Sequence, residues 1–279
     1  MRTGISQAAL ALVLAVFVSV ARPDVPDLAK LKAAAEAGDV DAELAFAQHF
    51  PIGGADWHRW LEAAVAQGDG RAEDELAWAL NWSYFAVNFP NPAMRASHLK
   101  SNSARMRQAL VLASSAADKG LGRSRLLLGM AFASGYLVNQ DSAEAYKWLK
   151  LSQTGDIVAN MTANQLRDRL LKEMPLSAVE EGDRRAAAYR PGSTANFVHA
   201  QLTLPLLKLT GLASAGGQRI AILNGAKLPA GEDTRLTVEG LSIAVHTVTV
   251  DQRAMVFCLP PDPQQYELRP GSLAVVYSR

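Results

Sequence analysis

The stretch from Leu128 to Trp148 constrains the fold of this chain more than any other, because it has the pattern of two helices joined by a tight loop. Gly135 falls where a helix can end in a left-handed residue. Asp141 can cap the next helix, and Glu144 three residues later would complete a capping box. The stretch therefore predicts a helical hairpin.

Small and large residues are placed in this hairpin so that its two helices can pack. Gly129 has no Cβ that would hold the helices apart. Ala145 and Trp148 are spaced to lie on one face of the second helix, a small residue beside a large one. A single hairpin cannot bury such a face, so several hairpins must stack against one another.

The same pattern recurs along the N-terminal part of the chain. Four segments each end in a glycine that is followed four positions later by a small residue, and these glycines are Gly38, Gly68, Gly120 and Gly155. The last two are 35 residues apart and the first two are 30 apart. Periods of this size are typical of helical repeat proteins.

The block from Leu112 to Trp148 resembles the Sel-one-like repeat, a relative of the tetratricopeptide repeat. The matching residues are Ala116, Ala117, Gly120, Leu128, Gly129, Phe132, Gly135, Val138, Asp141, Ala145 and Trp148. The resemblance extends over roughly Asp27 to Tyr189. It implies an α-solenoid that serves as a protein-binding scaffold, and it implies no catalysis.

The stretch from Leu171 to Pro191 is similar to the closing helix of such arrays. Ser177 and Glu180 have the spacing of a capping box, which predicts the start of that helix. The helical module is accordingly expected to span residues 22–190, followed by a linker over residues 191–201.

An aromatic-rich insertion separates the second and third repeat units. Trp78, Trp82 and Phe85 are spaced as one helical stripe, which is the pattern of a packed core. Tyr84 and Phe89 are the members expected to be exposed. Since aromatic residues dominate protein-binding hot spots, we interpret these two as candidate protein-binding residues.

The composition changes after Arg190-Pro191-Gly192-Ser193, where β-branched residues and turn signals replace helix formers. About six short strands are expected over residues 202–279, the first within Leu202 to Leu212. Asn224-Gly225 is a strong hairpin dipeptide, and a change in alternation near His246 indicates a bulge. Short turns between sequential strands predict a small antiparallel barrel or sandwich. The fold class is therefore α+β, in two modules.

This second module resembles the small periplasmic β-domain of type II secretion and type IV pilus assembly proteins. The resemblance covers about Thr203 to Gly271. It is carried by Leu209 to Gly211, Arg219 to Gly225, Pro229 to Glu232, Gly240 to Val245 and Tyr266 to Arg269. These are positions that shape the fold, so the resemblance concerns architecture more than binding.

Residues Met1 to Ala21 have the three parts of a secretory signal peptide. Arg2 supplies the positive charge, Ala8 to Val18 the apolar run, and Ser19-Val20-Ala21 the small residues of a cleavage site. The alternative is an uncleaved anchor over residues 4–21, which is short for a membrane span. We expect export across the inner membrane to the periplasm, with membrane attachment only if the segment is uncleaved.

The sequence contains no motif that indicates a catalytic, metal-binding or nucleic-acid-binding site. Cys258 is the only cysteine and lies in an apolar run that reads as a buried strand, which indicates a structural thiol. The five histidines share no metal-ligand spacing with cysteine, aspartate or glutamate. A net charge of +1 is too small for a typical nucleic-acid binder. No metal, cofactor or nucleic acid is therefore expected.

Three functions from different classes are compatible with these observations. The first is a non-catalytic adaptor that binds another protein in the bacterial cell envelope. The second is a structural component of a secretion or pilus apparatus, anchored by an uncleaved N-terminal helix. The third is a cell-wall enzyme with an unfamiliar site, which the missing motifs disfavour. We expect the adaptor.

Overall fold

The computed structural model describes residues 27–85, 102–153 and 157–277, with the backbone alone for residues 82–85. The predicted signal segment, Met1 to Ala21, lies outside these residues. None of the helices in the described ranges is both long and apolar enough to cross a membrane. The chain divides into two compact units, Met1–Ala63 and Ala64–Arg279.

In the residues that the structure describes, the first unit contains α1 (Leu28–Glu36), α2 (Val40–Ala47) and most of α3 (Ala55–Ala66). Aspartates begin the first two helices because their carboxylates accept hydrogen bonds from amides that have no partner inside the helix. The Asp27 carboxylate accepts the amide of Ala29, and that of Asp39 accepts the amide of Ala42. Phe46 packs edge-on against Trp60, with the ring centroids 5.3 Å apart.

The second unit begins with seven helices in the described ranges. They are α4 (Gly70–Phe85), α5 (Ser103–Asp118), α6 (Gly122–Ser134), α7 (Ser142–Leu151), α8 (Ile157–Glu173), α9 (Leu176–Ala188) and α10 (Thr194–Thr203). Consecutive helices from α4 to α8 pack against one another, α9 packs on α7, and α10 packs on α5. The predicted succession of packed helices is confirmed.

The hairpin formed by α6 and α7 has the local structure that its sequence predicts. Gly135 ends α6 in the left-handed conformation, with φ of 68°. The Asp141 carboxylate caps α7 by accepting the amide of Glu144 at 3.0 Å. A Cβ on Gly129 would lie 2.8 Å from the side chain of Leu149, so glycine is what allows the close approach of the two helices.

The second half of the predicted capping box is wrong. The amide of Asp141 donates to the carbonyl of Phe132 at 3.1 Å, so it is already satisfied by the preceding helix. The Glu144 side chain therefore turns inward and accepts the indole N–H of Trp148 at 2.9 Å. Trp148 and Ala145 are fully buried on one face of α7, as predicted.

The capping box predicted for α9 is also wrong. Pro175 occupies the position before the helix, and Ser177 lies inside its first turn. Proline at this position has no amide that needs a partner, and no side chain caps the helix. Gly182 is buried where α9 crosses α7, next to Tyr146.

Acidic side chains also cap helices that are distant in sequence. Asp74 on α4 accepts the amide of Ser124 at 2.8 Å and thereby caps α6. Asp118, the last residue of α5, accepts the amide of Thr194 at 2.9 Å and caps α10. Carboxylates are favourable at these points because a helix N-terminus carries partial positive charge. The helices are thus joined by polar contacts as well as by apolar packing.

The C-terminal part of the second unit is antiparallel β-structure. Its strands are β1 (Leu209–Ala215), β2 (Gln218–Leu223), β3 (Ala226–Pro229), β4 (Asp233–Val238), β5 (Leu241–Val250), β6 (Met255–Cys258), β7 (Gln265–Leu268) and β8 (Val275–Val276). They form a three-stranded sheet, β1-β2-β3, and a five-stranded sheet, β4-β5-β6-β7-β8. The antiparallel prediction is confirmed, but the sheets do not close into a barrel.

Several local β predictions can be compared with this topology. Asn224 and Gly225 both have positive φ, as a tight hairpin turn requires. The bulge lies between Thr247 and Thr249, close to the predicted position near His246. The first strand begins only at Leu209, because the preceding residues, Leu202 to Leu206, complete α10 and a 3₁₀ turn.

One apolar core connects the helices of the second unit with both sheets. It contains buried residues from α4 to α7, from α10 and from β1 to β7, among them Trp148, Val198 and Phe257. Residues 191–201, the predicted linker, coincide for the most part with α10. Its Val198 and Leu202 lie one turn apart and are almost completely buried, which holds the helix against this core.

Candidate functional site

The two residues that sequence reasoning put forward for protein binding lie at the limit of the described structure. Tyr84 belongs to the last turn of α4, where only the backbone is described, and Phe89 lies outside the described residues. The six repeat residues have structural positions in turns, caps and the core. They are Gly120, Gly129, Gly135, Asp141, Ala145 and Trp148.

A different surface feature of the second unit has the form of a binding site. Two adjoining cavities, of about 570 and 630 Å³, share four lining residues: Asn139, Ser193, Phe197 and Gln201. We call their union the Phe197 groove. Volumes of this size are typical of ligand sites. One part, the charged section, lies against α7 and α9, and the other, the apolar section, lies between α10 and the edge of the five-stranded sheet.

The charged section is organised around a buried carboxylate, Glu144. Its Oε1 accepts hydrogen bonds from the indole of Trp148 and from the ammonium group of Lys147. Its Oε2 accepts from the guanidinium of Arg185 at 3.2 Å. Both Glu144 and Lys147 are more than nine-tenths buried. Charged groups are tolerated at this burial only when they are paired, which is the case here.

Arg185 connects this cluster to two further carboxylates. Its guanidinium donates to Asp141 and to Glu181, each at 2.7 Å. Burial acts to raise the pKa of Asp141, but the hydrogen bonds from Arg185 and from the amide of Glu144 outweigh it and hold that pKa below its ordinary value. Asp141 therefore remains ionised and has two roles, as helix cap and as partner of Arg185.

Two aromatic rings lie close to the ammonium group of Lys147. The Lys147 ammonium lies 4.1 Å from the ring centroid of Trp148 and 5.6 Å from that of Tyr189. The rings of Trp148 and Tyr189 contact each other edge-on. These contacts stabilise the cation beyond its ion pair with Glu144. They also fix its position, so this section of the groove is preorganised.

Phe197 lies where the two sections meet. Its ring stacks on Phe132 with centroids 5.9 Å apart, and 43% of its surface is exposed. Its position follows from the helix, because Val198 and Leu202 hold a different face of α10 in the core. A large aromatic residue held on a rigid helix and left half open to solvent is typical of a binding surface.

The apolar section is bounded on its other side by the end of the five-stranded sheet. Leu273 and Val276 line it and are 70% and 61% exposed. Tyr266 and Asp262 line the same wall, and burial together with the negative charge of Asp262 raises the pKa of Tyr266. The tyrosine is therefore neutral at physiological pH. Asp262 is the charged residue of this section.

Sequence reasoning missed this groove because its two walls were assigned to other structures. Phe197 was placed in a linker, and β8 was not predicted, since two valines are too short a run to indicate a strand. The spacing of Val198 and Leu202, with Phe197 off their face, was the signal that could have revealed an amphipathic helix.

The side chains of His199 and Cys258 are not part of the lining of the groove. Within the described ranges, no three histidine, cysteine, aspartate or glutamate side chains are grouped so as to hold a metal ion. Burial raises the pKa of the Cys258 thiol on β6, so it is protonated at neutral pH. Burial lowers the pKa of His199 on α10, so its imidazole is neutral there.

The fold and the groove define a class of protein in which packed helices precede two antiparallel sheets and a helix flanks an open edge strand. No family model matches the chain, and no curated protein matches it. Among solved structures, it is similar to c5321, a protective antigen of uropathogenic Escherichia coli strains that displays an SLR fold. The identity is 18% and the TM-score 0.37, over 75% of this chain and 49% of that chain. The chain thus spans about half the length of that protein.

Proposed function

We propose that this protein is a non-catalytic adaptor that binds another protein in the bacterial cell envelope. The observation that supports it is the Phe197 groove, which joins an exposed aromatic residue on a rigid helix to an exposed apolar sheet edge. The charged section contributes salt-bridged, immobilised side chains rather than a reactive group. In this proposal the helices are Sel-one-like repeats of an α-solenoid, which is the scaffold that the matching residues from Ala116 to Trp148 imply.

A photo-crosslinker tests whether the groove binds protein. A benzophenone amino acid at position 197 should give a discrete protein adduct in cells of the native host. The same amino acid at position 176 is the matched control, because Leu176 is 73% exposed but lies at the start of α9, outside the groove. Leu273→Asp should abolish the adduct from position 197, since it puts a charge into the apolar section. Equal adducts from both positions would contradict the proposal.

Export is the second part of the proposal, and it rests on the signal-like segment from Met1 to Ala21. Mass spectrometry of the protein from a periplasmic fraction should find Arg22 as the first residue. An intact N-terminus in the membrane fraction would instead favour the alternative, a membrane-anchored structural component of a secretion or pilus apparatus.

The aromatic insertion remains a separate candidate for the docking surface. If Tyr84 and Phe89 contact the partner, Tyr84→Ala combined with Phe89→Ala should weaken the complex by at least about 2 kcal/mol, the scale of a hot spot. Stability should change little. Loss of folding would identify the rings as core, and unchanged binding by a folded double variant would leave the Phe197 groove as the candidate.

A further inference from the structure

The free edge of β8 supplies what an incoming strand needs. β8 is the last strand of the five-stranded sheet, and no described strand lies beyond it. Val276 is opposite Tyr266 on β7, and the amide of the next residue, Tyr277, donates to the carbonyl of Gln265 at 2.9 Å. Neighbouring residues of an antiparallel strand point their backbone groups to opposite sides. The amide and carbonyl of Val276 therefore point away from β7.

β8 also lines a groove, because Val276 and its cross-strand neighbour Tyr266 both belong to the lining of the apolar section. α10 forms its second wall through Phe197 and Ala200, and the 3₁₀ turn that follows adds Leu204, while Leu273 and Val276 belong to the sheet side. A groove between a helix and an edge strand accepts an extended chain, which forms backbone hydrogen bonds on one side and places alternate side chains against the helix. Its volume of about 630 Å³ is too small to hold a folded domain.

The charges of the groove select the kind of peptide. Its lining contains three carboxylates, Asp141, Glu144 and Asp262, and two cations, Lys147 and Arg185. Asp141 and Glu144 are paired with these cations. Asp262 forms no ion pair with any residue in the described ranges. The groove therefore has an excess of negative charge, and that excess lies next to the apolar section.

We propose that the Phe197 groove binds an extended peptide segment of a partner protein that carries apolar residues and a lysine or arginine, adding it as a strand along β8. The basic residue pairs with Asp262, and apolar residues contact Phe197 and Leu273. The proposal rests on the proposed adaptor function and specifies its partner as an unfolded, basic and apolar segment.

A second copy of this chain fits the groove less well. Pairing of two β8 strands would join only two residues from each copy, because β8 spans Val275–Val276. Stable interfaces bury on the order of 1,200 Å² or more, which a contact of this length does not provide. Such pairing also leaves Asp262 without a cation. A single extended peptide can pair with the outward backbone groups of β8 and can also place a cation next to Asp262.

Fluorescence anisotropy with the full-length protein tests the proposal. The probe is a short labelled peptide in which valine alternates with threonine around a central lysine. A peptide with glutamate at the centre is the matched control for charge, and one with N-methylated backbone amides is the control for strand addition. We expect roughly threefold weaker binding of the lysine peptide by Asp262→Asn, the size of an exposed ion pair. N-methylation should weaken binding about tenfold, as loss of a hydrogen bond or two does.

Val276→Pro tests the same step from the protein side. Proline removes the outward amide of Val276 but leaves the bond from Tyr277 to Gln265. It should weaken binding of the lysine peptide, because the Val276 amide can no longer donate to a peptide carbonyl. If this variant does not fold, the N-methylated peptide still decides the question, because it leaves the protein unchanged.

Two results would overturn the proposal and can be told apart. Equal binding of the lysine, glutamate and N-methylated peptides would show that neither charge nor strand addition matters. Absence of peptide binding, together with a groove-dependent protein adduct at position 197, would refute the extended peptide while the adaptor function stands. Absence of both would refute the two proposals together.

Discussion

The consecutive helices α7 and α8 differ in a way that hydropathy does not predict. α7 has ten residues, of which six are buried: Ala143, Glu144, Ala145, Lys147, Trp148 and Leu149. α8 has seventeen residues, of which only Ala159 and Ala163 are buried. Ile157, Val158 and Met161 on α8 are 57% to 74% exposed. Charged residues are thus buried in one helix while apolar residues are exposed in the next.

The number of packing partners explains the difference. Among the described helices, α7 packs extensively against α6, α8 and α9, whereas α8 packs extensively against α6 and α7 alone. A helix enclosed on three sides must bury even polar residues. Such residues destabilise the fold unless they are paired. Glu144 and Lys147 meet that condition through each other and through Trp148 and Arg185. The comparison shows that position in the stack decides burial, and four substitutions test it.

Trp148→Ala should have the largest effect, a loss of about 3–5 kcal/mol of unfolding free energy. Trp148 is completely buried, and its indole N–H satisfies Glu144, so truncation leaves both a cavity and a carboxylate with one donor fewer. Urea denaturation followed by circular dichroism measures the loss. A cost under about 1 kcal/mol would show that α7 is not enclosed.

Gly182→Ala should destabilise the protein by roughly 2 kcal/mol, because it forces α9 away from α7. A Cβ there would lie 2.7 Å from the ring of Tyr146 and 2.9 Å from the carbonyl oxygen of Ala143, and a backbone atom cannot move aside alone. Ser177→Ala, at an exposed position of the same helix, is the control. Equal denaturation midpoints for the two variants would argue against the close helix crossing.

Arg185→Gln should cost about 1–2 kcal/mol near neutral pH, since charged hydrogen bonds to Asp141 and Glu144 are lost. It should also change the acid sensitivity. The pKa of Asp141 lies below its ordinary value of 3.8, so its contribution is complete above that pH and disappears as the pH falls through the lower folded value.

Denaturation at several pH values between neutral and acidic measures this dependence. The wild-type protein should lose more stability than Arg185→Gln as the pH falls below about 4, because the variant no longer holds the pKa of Asp141 down as strongly. Arg169→Gln is the control, since it also removes a positive charge but at an exposed position of α8. Parallel pH profiles for the wild type and Arg185→Gln would contradict the role given to Arg185.

Met161→Ala should have the smallest effect, within about 0.5 kcal/mol, because Met161 is 57% exposed on α8. Leu149→Ala, one helix earlier and 1% exposed, is the buried counterpart. A loss of several kcal/mol from Met161→Ala would mean that the outer face of α8 is covered in solution, and the contrast with α7 would fail.

The sequence by itself determined the local structure where the cause is local. Left-handed glycine at Gly135, the aspartate cap at Asp141 and the hairpin turn at Asn224-Gly225 were all predictable, because each depends on the conformational preferences or the hydrogen bonding of a few consecutive residues. The succession of packed helices followed by antiparallel strands was predictable for the same reason, since it follows from periodicity and turn residues.

Only the tertiary structure decided what depends on distant neighbours. Glu144 was read as half of a capping box, but the carbonyl of Phe132 takes the amide that it would have bound, and Trp148 and Arg185 take its carboxylate. The Phe197 groove unites α6, α7, α9, α10 and β8, elements that lie far apart in sequence. No pattern within a short stretch of sequence indicates that these elements come together. The exposure of α8 likewise follows from its having fewer packing partners than α7 among the described helices, which its own residues do not encode.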